Sequence, residues 1–194
     1  MNNLFPVFLK LEHLHSLIVG GGYVAHEKLT AILANSPQSR ITLVAPEIRE
    51  SIREIALENP RLTLENRDFA PEDLEEKDLI FVATNVPELN RAIKALASER
   101  HLLVNVADTP DQCDFYLSSV VQKGNLKLGI STNGLSPTLA KRLREVLSDA
   151  IPDNLETAMH QLNELRNYLK GDFARKVDEL NALTESLVRK RGKG

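Results

Sequence analysis

Ser16-Leu17-Ile18-Val19-Gly20-Gly21-Gly22-Tyr23-Val24-Ala25 is the stretch on which the fold turns. Leu14 to Gly20 is a short apolar run ending in glycines, the pattern of a buried strand. Tyr23 to Asn35 follows with Leu29, Ile32 and Leu33 on one helical face. Between them lies G-x-G-x-x-A. Gly20 lets the chain bend sharply out of the strand. Gly22 carries no side chain, so a pyrophosphate can approach the backbone. Ala25 is small enough for the helix to pack on the sheet. The helix N-terminus adds free N–H groups and a partial positive charge. A glycine triplet alone is often only a tight turn. Its place between a strand and a helix, in the first βαβ unit, points to a dinucleotide.

Working outward, Arg40 to Ala45 predicts a second strand and Glu47 to Glu58 a helix. Leu62 to Glu65, Leu79 to Ala83 and Leu102 to Val106 predict three more strands, with a helix over Pro87 to Arg100. Such alternation calls for an α/β fold, a Rossmann-type parallel sheet with helices on its faces. After Asp108 the pattern changes. Phe115 to Val121 and Asn125 to Ile130 read as a hairpin around Gln122-Lys123-Gly124. Ser136-Pro137 opens a helix as N-cap and first residue. From Pro152 onward the chain reads as helix. Leu155, Met159, Leu162, Leu165 and Leu169 form one stripe, and Phe173, Val177, Leu180, Leu183 and Leu187 another, across a break at Gly171. These stripes are packing surface, and the tail from Arg189 reads as disordered. The expected division is a dinucleotide-binding domain over 1–112, a small α+β segment over 113–149 and a helical region over 150–194.

The chain has 194 residues, a formal net charge of -3 and only 5% aromatic residues without Trp. That balance argues against nucleic acid as a partner. Cys113 is the single cysteine, as expected in a reducing cytoplasm. No basic start with a long apolar run opens the chain, and no stretch nears the about 18 apolar residues of a membrane span. The histidines, His13, His15, His26, His101 and His160, lack metal spacing, so no metal site is expected.

Candidate chemistry gathers where strands end. Glu47, after the second strand, is placed to bond a ribose hydroxyl, and equally to favour the first turn of the next helix. Arg49 nearby raises NADP, with NAD favoured. Thr84 and Asn85 end a buried strand where a cofactor would lie, although Asn85 also suits a cap ahead of Pro87. Asp108, after Asn105-Val106-Ala107, sits where nicotinamide and substrate would meet, and can accept or steer a proton. It also suits the turn at Thr109-Pro110. Ser131-Thr132-Asn133-Gly134-Leu135-Ser136-Pro137 can hold a carboxylate on its N–H groups, ahead of the basic Lys141, Arg142 and Arg144. A capped helix with a solvated basic face reads equally well. Asn105, Thr132, Gly134 and Ser136 are the candidate substrate contacts.

Pro6-Val7-Phe8-Leu9, then Leu17 to Lys28, Val82-Ala83-Thr84-Asn85, Asn105-Val106-Ala107-Asp108 and Ser131 to Pro137 occur in one order. That order resembles the precorrin-2 dehydrogenase family, which includes stand-alone dehydrogenases, a bifunctional dehydrogenase–ferrochelatase and the N-terminal module of sirohaem synthase. The likeness runs from about Leu4 to about Asp149. It implies NAD-dependent oxidation of precorrin-2 to sirohydrochlorin by a cytoplasmic homodimer whose segment from about Cys113 to Asp149 meets its partner. The family's catalytic aspartate falls on Asp108. Its cofactor contacts fall on Gly20, Gly22, Tyr23, Val24, Pro46, Glu47, Thr84 and Asn85. A phosphorylated serine of sirohaem synthase falls on Thr132, where this chain has threonine. Two alternatives stand beside this reading: added ferrochelatase activity, and a non-catalytic NAD-sensing module. The sensor would need neither an acid at the nicotinamide end nor a polyanion site.

Overall fold

The computed structural model describes residues 2–152, 155–168 and 173–188. The chain divides into two compact units, Phe5–Leu117 and, with the four N-terminal residues, Ser118 onward.

In the first unit five strands form one parallel sheet: β1 (His15–Val19), β2 (Arg40–Val44), β3 (Leu62–Glu65), β4 (Leu79–Val82) and β5 (Leu103–Val106). Their order is β3-β2-β1-β4-β5. β1 is central and every one of its residues is buried, which is why it reads as a continuous apolar run. Alternation splits its side chains between two cores. Ile18 joins Phe81, Leu43 and the helix residues Ala25, Leu29 and Ile52 on one face. Leu17 and Val19 join Val82, Val106, Ile93 and Ala97 on the other. Helices α1 (Tyr23–Asn35) and α2 (Glu50–Glu58) therefore cover the first face, and α3 (Pro87–Glu99) the second. Each fully buried large side chain stabilises the fold by about 1.5–3 kcal/mol.

The expected helix over Glu47–Glu58 starts later, at Glu50. Pro46 to Arg49 is a loop. Ile48 is drawn into the core, and the Arg49 N–H donates to the Gly21 carbonyl at 3.0 Å. The strand expected from Phe115 begins at Ser119. Cys113 to Phe115 instead finish the exposed side of edge strand β5. Asp114 Oδ2 accepts from the Val104 N–H at 2.9 Å and Cys113 Sγ from the Val106 N–H at 3.3 Å. Phe115 stands edge-on to Phe81, their centroids 5.4 Å apart. Covering those groups removes a pairing edge.

The second unit holds the antiparallel hairpin β6 (Ser119–Lys123) and β7 (Leu126–Ile130), turning at Gly124 with φ +55°. Helices α4 (Pro137–Ala150), α5 (Leu155–Tyr168) and α6 (Phe173–Val188) complete it. α4 packs on the hairpin and α5 contacts α6. Leu155, Met159, Leu162 and Leu165 are the half-buried face of α5. Leu169, Gly171 and the tail from Arg189 lie outside the described residues. Among those described, no helix is long and apolar enough to cross a membrane.

Candidate functional site

The sheet order reverses between β1 and β4, and their carboxyl ends meet at the glycine turn. Gly20 has φ +123°, and a Cβ there would lie 2.3 Å from the Ala83 carbonyl oxygen. A Cβ on Gly21 would lie 2.0 Å from the Glu47 carbonyl oxygen. A Cβ on Gly22 would meet nothing within 4 Å. Two glycines are thus consumed by packing against neighbouring loops, and the third opens onto free space at the start of α1. That is a cradle a side chain would fill, and it fits a dinucleotide pyrophosphate held on backbone N–H groups. Tyr23 is exposed beside it, with the Arg49 guanidinium 6.0 Å from its ring centroid. Val24 is half-buried behind.

Pro46 and Glu47 are exposed on the loop that packs against Gly21. Because α2 begins at Glu50, Glu47 is not in its first turn, and its carboxylate makes no hydrogen bond or ion pair among the described residues. Asn66, which sequence reasoning missed, fixes this loop. Its Nδ2 donates to the Pro46 carbonyl at 2.6 Å, and its Oδ1 accepts from Arg53 at 2.6 Å.

At the tip of β4, Thr84 is held in place from α3. Its Oγ1 bonds Asn90 Oδ1 and accepts from the Val86 N–H, while Asn90 Nδ2 donates to the Thr84 carbonyl at 3.2 Å. The N-cap residue of α3 is Val86. The helix has no side-chain cap, so Asn85 does not take the capping role open to it; it is exposed and makes no hydrogen bond among the described residues.

Asp108 follows β5 in a turn with φ +54° and is exposed, a conformation aspartate tolerates better than most residues. The turn is closed by Thr109, whose Oγ1 donates to the Ala107 carbonyl at 3.2 Å. The Asp108 carboxylate makes no hydrogen bond or ion pair among the described residues, so the turn does not consume it. Asn105 is 3% exposed. Its Nδ2 donates to the Phe115 carbonyl at 2.8 Å and lies 3.6 Å from Cys113 Sγ, and its Oδ1 has no partner. Whatever Asn105 does for a ligand passes through the residues in front of it. Nearby, burial holds the Lys28 ammonium below the ordinary lysine value, against the pull of Cys113, Asp108 and Glu27. Burial likewise pushes the Cys113 thiol up. Lys28 is a charged group the sequence reading passed over. Its position three residues after Ala25, on the side of α1 that faces the sheet, was the available signal.

These residues share the carboxyl edge of one sheet: Gly20, Gly22, Tyr23, Val24, Pro46, Glu47, Thr84, Asn85 and Asp108. Thr132, Gly134 and Ser136 lie together in the second unit, in the loop that opens α4. Ser136 Oγ accepts from the Leu139 N–H at 3.2 Å, the expected N-cap, and Thr132 Oγ1 accepts from the Ser136 N–H at 3.2 Å. Both hydroxyls are engaged in shaping the loop. Gly134, with φ +77°, faces open space.

Residues 7–119 match the family described as "Putative NAD(P)-binding", and residues 123–149 the family described as sirohaem biosynthesis protein central. A siroheme synthase of Nitrosomonas europaea is 37% identical over 147 residues, covering 76% of this chain and 30% of the relative. One from Pseudoalteromonas translucida is 34% identical over 173 residues, covering 89% and 36%. The chain thus spans about a third of the length of these curated relatives. Among solved structures, SirC, precorrin-2 dehydrogenase, superposes with a TM-score of 0.71 at 29% identity, covering 93% of this chain and 89% of that one.

Proposed function

This chain belongs to the family of precorrin-2 dehydrogenases and sirohaem synthase N-terminal modules, and on that footing we propose that it oxidises precorrin-2 to sirohydrochlorin with NAD. The observation that carries the reading is the open cradle at Gly22, on the same sheet edge as an unengaged Asp108 carboxylate. Bound NAD supplies the acceptor for the hydride that the oxidation removes.

The chain's own residues do the rest. The N–H groups at Gly22, Tyr23 and Val24 hold the pyrophosphate at the start of α1. Pro46 and Glu47 take the adenosine ribose, a carboxylate there favouring a free hydroxyl over a phosphate and so NAD over NADP. Gly20 sets the bend, and Thr84 and Asn85 border the nicotinamide end. Asp108 accepts the proton that leaves the macrocycle. A carboxylate of the substrate's rim suits the Gly134 N–H and the hydroxyl protons of Thr132 and Ser136, with Lys141 and Arg144 exposed on the helix that follows. Asn105 contributes by shaping the tip that carries Asp108.

We place the enzyme in the cytoplasm, where a free Cys113 thiol stays reduced, and as a homodimer. α4 leaves Leu139, Leu143 and Val146 exposed, an apolar stripe that a second subunit would cover. Light scattering at micromolar concentration should return twice the chain mass.

The deciding assay follows NADH formation from precorrin-2, with NAD⁺ and NADP⁺ in parallel. Turnover is expected with NAD⁺. Asp108→Ala should lower it by about a hundredfold or more, the usual weight of a general base, while calorimetry still shows NAD binding. Near-normal turnover in that variant removes Asp108 from the mechanism. No turnover by the parent chain with either cofactor overturns the reading as a whole.

A further inference from the structure

Asn90 is an amide at a position where the fold calls for an apolar residue. With Ile93 and Ala97 it forms the buried stripe of α3, and it is 8% exposed. Asparagine is also a weak helix former. A buried amide costs stability unless its polar atoms are paired. Both ends of this one are spent on a single residue at the tip of β4. Asn90 Nδ2 donates to the Thr84 carbonyl at 3.2 Å, and Asn90 Oδ1 meets Thr84 Oγ1. Proton counting fixes the direction of the second bond. Turning the amide over would set two carbonyl oxygens against each other, so Oδ1 faces the hydroxyl and accepts its one proton. The Val86 carbonyl, 3.4 Å away, is the weaker acceptor for that proton. The Val86 N–H donates to the same Oγ1 at 3.2 Å. One lone pair of Thr84 Oγ1 is left, on a half-buried residue beside the exposed Asn85. The hydroxyl can therefore accept from a ligand and has no proton to offer one.

We propose that Asn90 is a positioning residue that sets the polarity of Thr84, and that Thr84 thereby selects a dinucleotide whose ring end offers an N–H donor, the carboxamide of NAD. This rests on reading the tip of β4 as the border of the nicotinamide end. A carboxamide brings N–H donors that pair with the open lone pair. A dinucleotide carrying nicotinic acid in its place brings only carboxylate oxygens, which meet an oxygen whose proton is already spent. A site built to receive a donor rejects an analogue without one, because the mismatched polar groups are desolvated unpaired. The bond from Asn90 Nδ2 also ties the Thr84 peptide to the start of α3, so the acceptor is held in one place.

The test is calorimetry on the full chain with NAD⁺, its nicotinic-acid analogue and ADP-ribose, which carries the pyrophosphate and no nicotinamide ring. The parent should bind NAD⁺ at least about tenfold more tightly than the acid analogue. Asn90→Leu returns the proton to Thr84, which can then donate to a carboxylate. The preference for NAD⁺ should fall to within about threefold, with ADP-ribose affinity unchanged. Thr84→Val, which removes the hydroxyl, should lower the preference in the same way, and Thr84→Ser should restore it. Those two variants decide the matter if Asn90→Leu does not fold. Equal binding of the two dinucleotides by the parent overturns the proposal. So does an undiminished preference in Thr84→Val, which would assign the selectivity to other groups. Equal weakening of all three ligands in Asn90→Leu would make Asn90 a packing residue and overturn it too. If the parent binds neither NAD⁺ nor ADP-ribose, the dinucleotide reading falls and this one with it. If it binds both and does not discriminate against the acid, only the present inference falls.

Discussion

Gly20, Gly21 and Gly22 are adjacent and chemically identical, yet each answers to a different neighbour. Gly20 adopts φ +123° under the Ala83 carbonyl, and Gly21 sits under the Glu47 carbonyl. Alanine at either would strain the backbone or drive a methyl into a peptide oxygen that the sheet holds in place, a loss of about 3 kcal/mol or more. Gly22 has φ −87° and ψ −161°, which any residue adopts. Gly22→Ala should therefore melt with the parent chain and lose NAD affinity by at least about tenfold, because its methyl occupies the space the pyrophosphate needs. Thermal melts and calorimetry on Gly21→Ala and Gly22→Ala check the pair. Equal melting of the two variants, or full NAD affinity in Gly22→Ala, counts against this division of labour. The G-x-G-x-x-A pattern made Gly20 and Gly22 legible in the sequence. It treats the middle position as free, so the demand on Gly21 was invisible: the Glu47 carbonyl comes from 26 residues away along the chain.

At the scale of elements, the central strand carries its own pH dependence. His15 opens β1, its Nε2 bonded to Thr42 Oγ1 at 2.9 Å and its Nδ1 buried without a partner. Burial, with Lys77 and Arg40 adding to it, pushes the imidazole down from 6.5 to about 4. Below about pH 6.5 the unfolded chain takes up a proton here that the folded chain refuses until about pH 4. The stability contributed by neutral His15 is therefore complete above that window and is lost as pH falls through it, by at most about 3 kcal/mol. Denaturant titrations across the window should show the fall, and His15→Gln should flatten it. An equally steep fall in the variant would assign the effect to other groups. The strands themselves were legible because β1 and β4 are buried on both faces and so are apolar throughout. The start of α2 was not legible, because Glu47 and Glu50 have equal helix propensity. Contacts from distant residues hold the preceding loop: the Arg49 N–H bonds the Gly21 carbonyl and Asn66 bonds the Pro46 carbonyl. The apolar Phe115 reads as strand and is spent instead against Phe81.

At the scale of the whole molecule, the residues expected to bind the dinucleotide all belong to the unit Phe5–Leu117, and the loop proposed to hold the substrate's carboxylates belongs to the other. A chain ending at Leu117 should therefore bind NAD within about threefold of the full chain, as a unit with its own core does, and should not turn over precorrin-2. Calorimetry and the NADH assay on that fragment check both halves, and loss of NAD binding would mean that the first unit depends on the second. By itself the sequence determined the α/β class, the succession of strands and helices along the chain, and which strand ends are candidates for chemistry, because burial periodicity and glycine placement are local signals. It singled out Asp108 but left open whether the turn would consume its carboxylate. Tertiary structure decided that, by giving the turn's hydrogen bond to Thr109. It likewise decided which glycine stays open. Those outcomes depend on atoms brought together from distant parts of the chain, and no local pattern encodes a distance across the sheet.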